Sequence, residues 1–135
     1  MFWNAKEQVL NIQDTQMNCI TFGNGEKSLI MIQGLSTRST KGASLSLAYM
    51  YRIFARDYKV YLFDRRENIG EDITIRELAS DIAMAMDFLE IQSADVFGVS
   101  QGGMIAQYLA IDRPDLVNKL VLAVTLSKKN ETIET

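Results

Sequence analysis

A serine with a glycine two residues to either side, Gly98-x-Ser100-x-Gly102, is the place in this sequence where residue type and spacing point to nucleophilic chemistry. The flanking glycines permit a backbone turn tight enough to lift a hydroxyl clear of the chain, and Gly103 adds further space. Spacing alone is a weak signal, because glycine and serine are common residues. It gains force when a strand leads into the turn and a helix leaves it, since the serine is presented on a strained strand-to-helix corner. Here the apolar run 94–97 (ADVF) precedes the turn, and 104–113 (MIAQYLAIDR) follows it. A helix starting there aims free N–H groups and its positive dipole end at the serine's surroundings, where an oxyanion would develop. An oxyanion hole of this type takes one N–H from the residue after the nucleophile, here Gln101, and one from a loop after an earlier strand. Ile32-Gln33-Gly34-Leu35 stands where that loop should be, and Gly34 lets the backbone turn inward. Gln33 reads equally well as a simple polar strand end.

The elements needed to position these residues follow from hydrophobic pattern. Residues 8–12, 17–22, 28–33, 59–64, 95–99 and 119–125 read as strands. Four of them, 28–33, 59–64, 95–99 and 119–125, are apolar on both faces, as a parallel sheet covered on both sides requires. Residues 43–58 are helical in character, with Leu47, Met50, Tyr51 and Phe54 on one face. Thr74-x-x-Glu77 forms a capping box that opens a second helix, followed by the stripe Ile75, Leu78, Ala79, Ile82, Met86 and Leu89. A third helix, 101–113, stops before Pro114, the single proline. Alternation of this kind predicts an α/β fold, a mostly parallel sheet flanked by helices on both faces.

Composition narrows the function classes. At 135 residues the chain fits one domain with a real core. Hydrophobic residues make up 47% and charged residues 23%, ordinary for a globular protein. The net charge of −3, with no Lys/Arg-rich block, argues against a nucleic-acid partner. One cysteine, Cys19, and no histidine leave zinc and most transition metals without their usual ligands, so neither metal nor cofactor is expected. The amino terminus carries Lys6 and Glu7 within MFWNAKEQVLNIQDTQ and does not read as a signal peptide. No run approaches the ~20 apolar residues of a membrane span, so no membrane partner and a cytoplasmic location are expected.

The runs SLIMIQGLS, YLFDRRENIG and TIRELASDIAMAMDFLEIQSADVFGVSQGGMIAQYLAIDRPDLVNKLVLA resemble the amino-terminal part of the α/β-hydrolase fold family, especially its small esterases, lactonases and peptidases. The resemblance spans essentially the whole chain. It implies Ser100 as nucleophile, the N–H groups of Leu35 and Gln101 as oxyanion hole, and Gln33 and Gly34 as support for that hole. It implies a small-molecule acyl substrate, a carboxylic ester, lactone or relative, attacked to give an acyl-enzyme. The sequence departs from the family at Gln33, where histidine is usual, and in the loop Asp64–Gly70, where Asp-x-Arg-Gly-x-Gly is usual. The family's triad runs Ser, then Asp or Glu, then His, and no histidine is present.

Losing the histidine of such a triad costs on the order of 10⁶ in turnover. The resemblance therefore implies the front part of a longer hydrolase domain: an incomplete fold lacking its carboxyl-terminal strands, inactive by itself, with residues 127–135 a flexible tail. Strand 119–125 is then a bare apolar edge, open to self-association or to a complementing chain. The alternative is a non-catalytic protein of the same fold that binds a ligand or assembles with a partner. Among the remaining residues, Asp64 reads as fixing its own loop in preference to serving as triad acid. Arg38, Lys41, Arg65 and Arg66 fall in loops at the carboxyl ends of strands, where α/β proteins bind ligands, but read better as solvated surface. Cys19 reads as a small buried hydrophobe, and Met84, Met86 and Met104 as core or pocket lining. The stretch Gly23–Ser28 lacks an adjacent Gly-Lys and precedes a strand, so it is not a phosphate-binding loop.

Overall fold

The computed structural model describes residues 5–12, 15–33, 52–66 and 73–123. They build one six-stranded sheet in the order β1-β2-β4-β3-β5-β6. The strands are β1 (Lys6–Ile12), β2 (Thr15–Phe22), β3 (Lys27–Ile32), β4 (Tyr58–Phe63), β5 (Ala94–Val99) and β6 (Val117–Ala123). β1 pairs with β2, and β2 with β4, in antiparallel fashion. From β4 through β3 and β5 to β6 every pairing is parallel. The four strands expected to be parallel are these four.

Alternation along each strand explains the two layers of core. Met17, Cys19, Ile30, Ile32, Tyr61, Phe63, Ala94 and Val96 point to one face, and Ile20, Phe22, Leu29, Met31, Val60 and Leu62 to the other. The first face is closed by two helices, α1 (Ile75–Phe88) and α2 (Gln101–Asp112), which supply Leu78, Ala79, Ile82, Met86, Ile105, Ala106 and Leu109. On the second face the described cover is Phe54 and Ala55, with Phe54 meeting the ring of Phe97 edge-on. The expected helix 43–58 lies, in residues 43–51, outside the described residues. Its described end differs from expectation: Arg52–Phe54 form a 3₁₀ turn and β4 already begins at Tyr58. Pairing explains the early stop, because Tyr58 is already in register with Lys27 of β3, and the Ala55 and Tyr58 carbonyls accept from the Asn24 and Gly25 N–H groups of the turn before it.

α1 is sealed at both ends. The Thr74 hydroxyl accepts from the Glu77 N–H at 3.0 Å, and the Glu77 carboxylate accepts from the Thr74 N–H at 2.8 Å. At the other end the N–H groups of Glu90 and Ile91 bond back to the carbonyls of Asp87 and Met86. That is a Schellman closure, with Glu90 at φ 61 where glycine is usual. α2 stops at Asp112, and Pro114 opens the 3₁₀ turn Pro114–Leu116 that feeds β6. Among the described residues no helix is long and apolar enough to cross a membrane. The tail 127–135 lies outside the described residues.

Candidate active site

Ser100 occupies the corner between β5 and α2. Its backbone has φ 57 and ψ −120, and its residue surface is exposed. Serine preceding a helix is commonly an N-cap, with its hydroxyl bonded to the N–H two or three residues on. Ser100 makes no such side-chain bond. The corner is held by main chain instead: the Ser100 N–H donates to the Ala123 carbonyl at 2.9 Å, and the Gly103 N–H donates to the Ser100 carbonyl at 2.8 Å. The hydroxyl is thus presented outward, on a backbone whose conformation costs about 1–3 kcal/mol.

Close packing accounts for two of the three glycines. A Cβ on Gly98 would lie 2.6 Å from the Gly102 carbonyl oxygen, and one on Gly102 would lie 2.1 Å from the Ile32 carbonyl oxygen. Gly103 differs, since a Cβ there would meet nothing nearer than 3.6 Å. Gly102 therefore sets how closely the first turn of α2 approaches the end of β3. Gln101, the first residue of α2, carries one of the N–H groups that a helix start leaves without an intrahelical partner.

At the end of β3, the Gln33 carbonyl accepts from the Arg65 guanidinium at 2.7 Å. The same Arg65 terminal nitrogen donates to Gln101 Oε1 at 3.1 Å. Burial pulls the Arg65 pKa down, while neighbouring Asp64 pushes it back up. Gly34 and Leu35, expected to support and form the second half of an oxyanion hole, lie outside the described residues, as do Arg38 and Lys41. The structure thus brings together Ser100, Gln101, Gly98, Gly102 and Gln33.

Of the three arginines read from sequence as solvated surface, the two described, Arg65 and Arg66, are engaged. Arg66 makes a paired contact with Asp81, 2.7 Å on each oxygen, and Asp81 is 1% exposed on the packed face of α1. A buried carboxylate needs such a partner. The stripe read from sequence gave no sign of this, because Asp81 falls just beyond its edge, on the side of α1 shared by Leu78 and Ala85, which are also buried. Arg65 gave no signal either, because its two acceptors come from segments distant in sequence. Asp64 donates its N–H to the Asn18 carbonyl at 2.9 Å, which fixes the end of β4. Cys19 is fully buried, and burial pushes its thiol up to about 12 against the pull of Lys59, so it is no thiolate nucleophile. Met86 is buried and Met84 packs against the same core, but Met104 is 52% exposed, on the α2 surface opposite Ile105, Ala106 and Leu109. Core or pocket lining is therefore corrected for Met104 to exposed surface.

Comparisons with known proteins agree with this fold. A family profile described as alpha/beta hydrolase fold matches residues 27–135. The 3-oxoadipate enol-lactonase 2 of Acinetobacter baylyi is 29% identical over 132 residues, covering 93% of this chain and 47% of that protein. The poly(3-hydroxyalkanoate) depolymerase of Ectopseudomonas oleovorans is 36% identical over 91 residues, covering 62% of this chain and 32% of that protein. Among solved structures, the epoxide hydrolase CorEH superposes with a TM-score of 0.72 at 22% identity, over 88% of this chain and 42% of that one. The chain spans about half the length, or less, of the relatives it matches.

Proposed function

The chain belongs to the alpha/beta hydrolase fold family, and from that premise we propose that it carries the nucleophile of a serine hydrolase acting on a carboxylic ester, lactone or related acyl substrate. The observation that carries this reading is the state of Ser100: exposed, at φ 57, and not spent on capping the helix it precedes. In the proposed reaction Ser100 Oγ attacks the acyl carbon while a general base takes its proton. The oxyanion is met by the Gln101 N–H and, from the loop after β3, the Leu35 N–H. Collapse expels the alcohol or opens the lactone, and water then releases the acyl group from Ser100. The names of the lactonase and depolymerase relatives support an acyl substrate.

These 135 residues contain no histidine, so the base must come from other sequence, and taken by themselves they are not expected to turn over substrate. The same fact favours a second reading, a non-catalytic protein of this fold that binds a ligand or a partner chain. One experiment separates them. The complete gene product is treated with a fluorophosphonate and digested, and the peptide containing Ser100 is weighed. The hydrolase reading expects the phosphonyl adduct on Ser100 and none in Ser100→Ala. A folded, complete protein left unmodified would decide for the non-catalytic reading.

A further inference from the structure

We propose that Arg65 is a positioning residue that ties the first residue of α2, and with it the Gln101 N–H beside Ser100, to the end of β3. This rests on the hydrolase reading above and goes one step further, to what keeps its parts aligned. Two described segments meet beside Ser100, the end of β3 and the first turn of α2. They meet with backbone against backbone: a Cβ on Gly102 would fall 2.1 Å from the Ile32 oxygen and 2.6 Å from the Gln33 oxygen. The parallel pairing of Ile32 with Gly98 holds β3 to β5, and past that pair the two segments are in close backbone contact.

Arg65 adds a side-chain tie. One terminal nitrogen donates both to the Gln33 carbonyl (2.7 Å) and to Gln101 Oε1 (3.1 Å), bridging the segments through a single atom. The arrangement is kept at a cost to the arginine. Its Nε is buried and has no hydrogen-bond partner among the described residues, and its guanidinium is half-buried. Both bonds to the terminal nitrogen are kept while Nε–H goes without. An electrostatic site works when its donors are fixed before the reaction, and a 1 Å misplacement can cost roughly 10²-fold.

The test compares Arg65→Met, Arg65→Lys and the native residue in the complete gene product, with two readouts. In the first, fluorophosphonate displaces fluoride with Ser100 Oγ, and the rate is followed against reagent concentration. Arg65→Met is expected to lower the saturating rate about 10–100-fold with the half-saturating concentration unchanged. Arg65→Lys, whose single nitrogen can also serve two acceptors, should recover most of that loss. In the second readout, amide hydrogen exchange in peptides covering 30–35 and 98–103 should quicken in Arg65→Met and return toward native in Arg65→Lys. Native rate and native exchange in Arg65→Met would overturn the proposal. So would a slowed rate with unchanged exchange, which would place Arg65 on the substrate itself. If Arg65→Met does not fold, Gln101→Met removes one of the two acceptors and is judged by the same outcomes. If native protein is not modified at Ser100, the hydrolase reading fails, while exchange still decides whether Arg65 ties the segments.

Discussion

Ser100 and its glycines form a corner in which each residue type answers a different constraint. Ser100 bears the positive φ; Gly98 and Gly102 bear the close approach; Gly103 bears neither. Alanine substitutions should therefore divide sharply. Gly98→Ala and Gly102→Ala force a methyl to 2.6 Å and 2.1 Å from carbonyl oxygens, and each should cost about 1–3 kcal/mol or more in urea unfolding. Gly103→Ala should fall within about 0.5 kcal/mol of native, or gain slightly from helix propensity. Equal losses at all three positions would refute this division. The corner was legible in sequence because strand, serine, glycines and helix are contiguous there. Arg65 and Arg66 were not, because a cation's partners depend on which segments the sheet order brings beside it. Asp81 gave no clue either, since it lies beside the apolar stripe of α1 and not within it.

At the level of elements, the amino ends of three strands are tied through one carboxylate. Asp95 at the start of β5 accepts from the Tyr58 hydroxyl of β4 at 2.7 Å and from the Asn118 amide of β6 at 2.9 Å. Burial raises the Asp95 pKa, but these two hydrogen bonds and the charges of Lys119 and Lys27 outweigh it and hold the carboxyl below its ordinary value. The bond to Asp95 in turn raises the Tyr58 hydroxyl. A carboxyl held low when folded contributes stability that is present above the unfolded aspartate value, about 3.9, and is lost as pH falls through the folded value. The gap in Tm between native and Asp95→Asn should be widest near neutral pH and narrow below about pH 4. A gap constant from pH 7 to acid would remove the argument. Strand positions were legible because continuous apolar runs mark buried parallel strands. The stop before β4 was not, since it depends on β3 and the Asn24–Gly25 turn bonding to residues 55–58.

Taken whole, the molecule is a sheet with two unlike edges. β1 shows Lys6, Glu7 and Gln8 to solvent, the charged and polar dress that discourages strand addition. β6 exposes Leu120, Val121 and Leu122 at 37%, 48% and 42%. The 135-residue chain is expected to self-associate through β6, and Val121→Lys should lower its apparent mass in sedimentation at high concentration while leaving the fold intact. Identical sedimentation of the two would show that β6 is not the contact. The sheet order has a further consequence, in the time course of synthesis. β3 lies between β4 and β5, so one of its edges waits for a strand that begins only at Ala94. Chains grow at about 5–20 residues per second, so from the completion of Ile32 the delay is roughly 3–12 s. During that interval the nascent chain carries an apolar strand, unpaired until β4 is made and half-paired after it, at what becomes the middle of the sheet. The interval closes as the ribosome adds the segment that ends in Ser100.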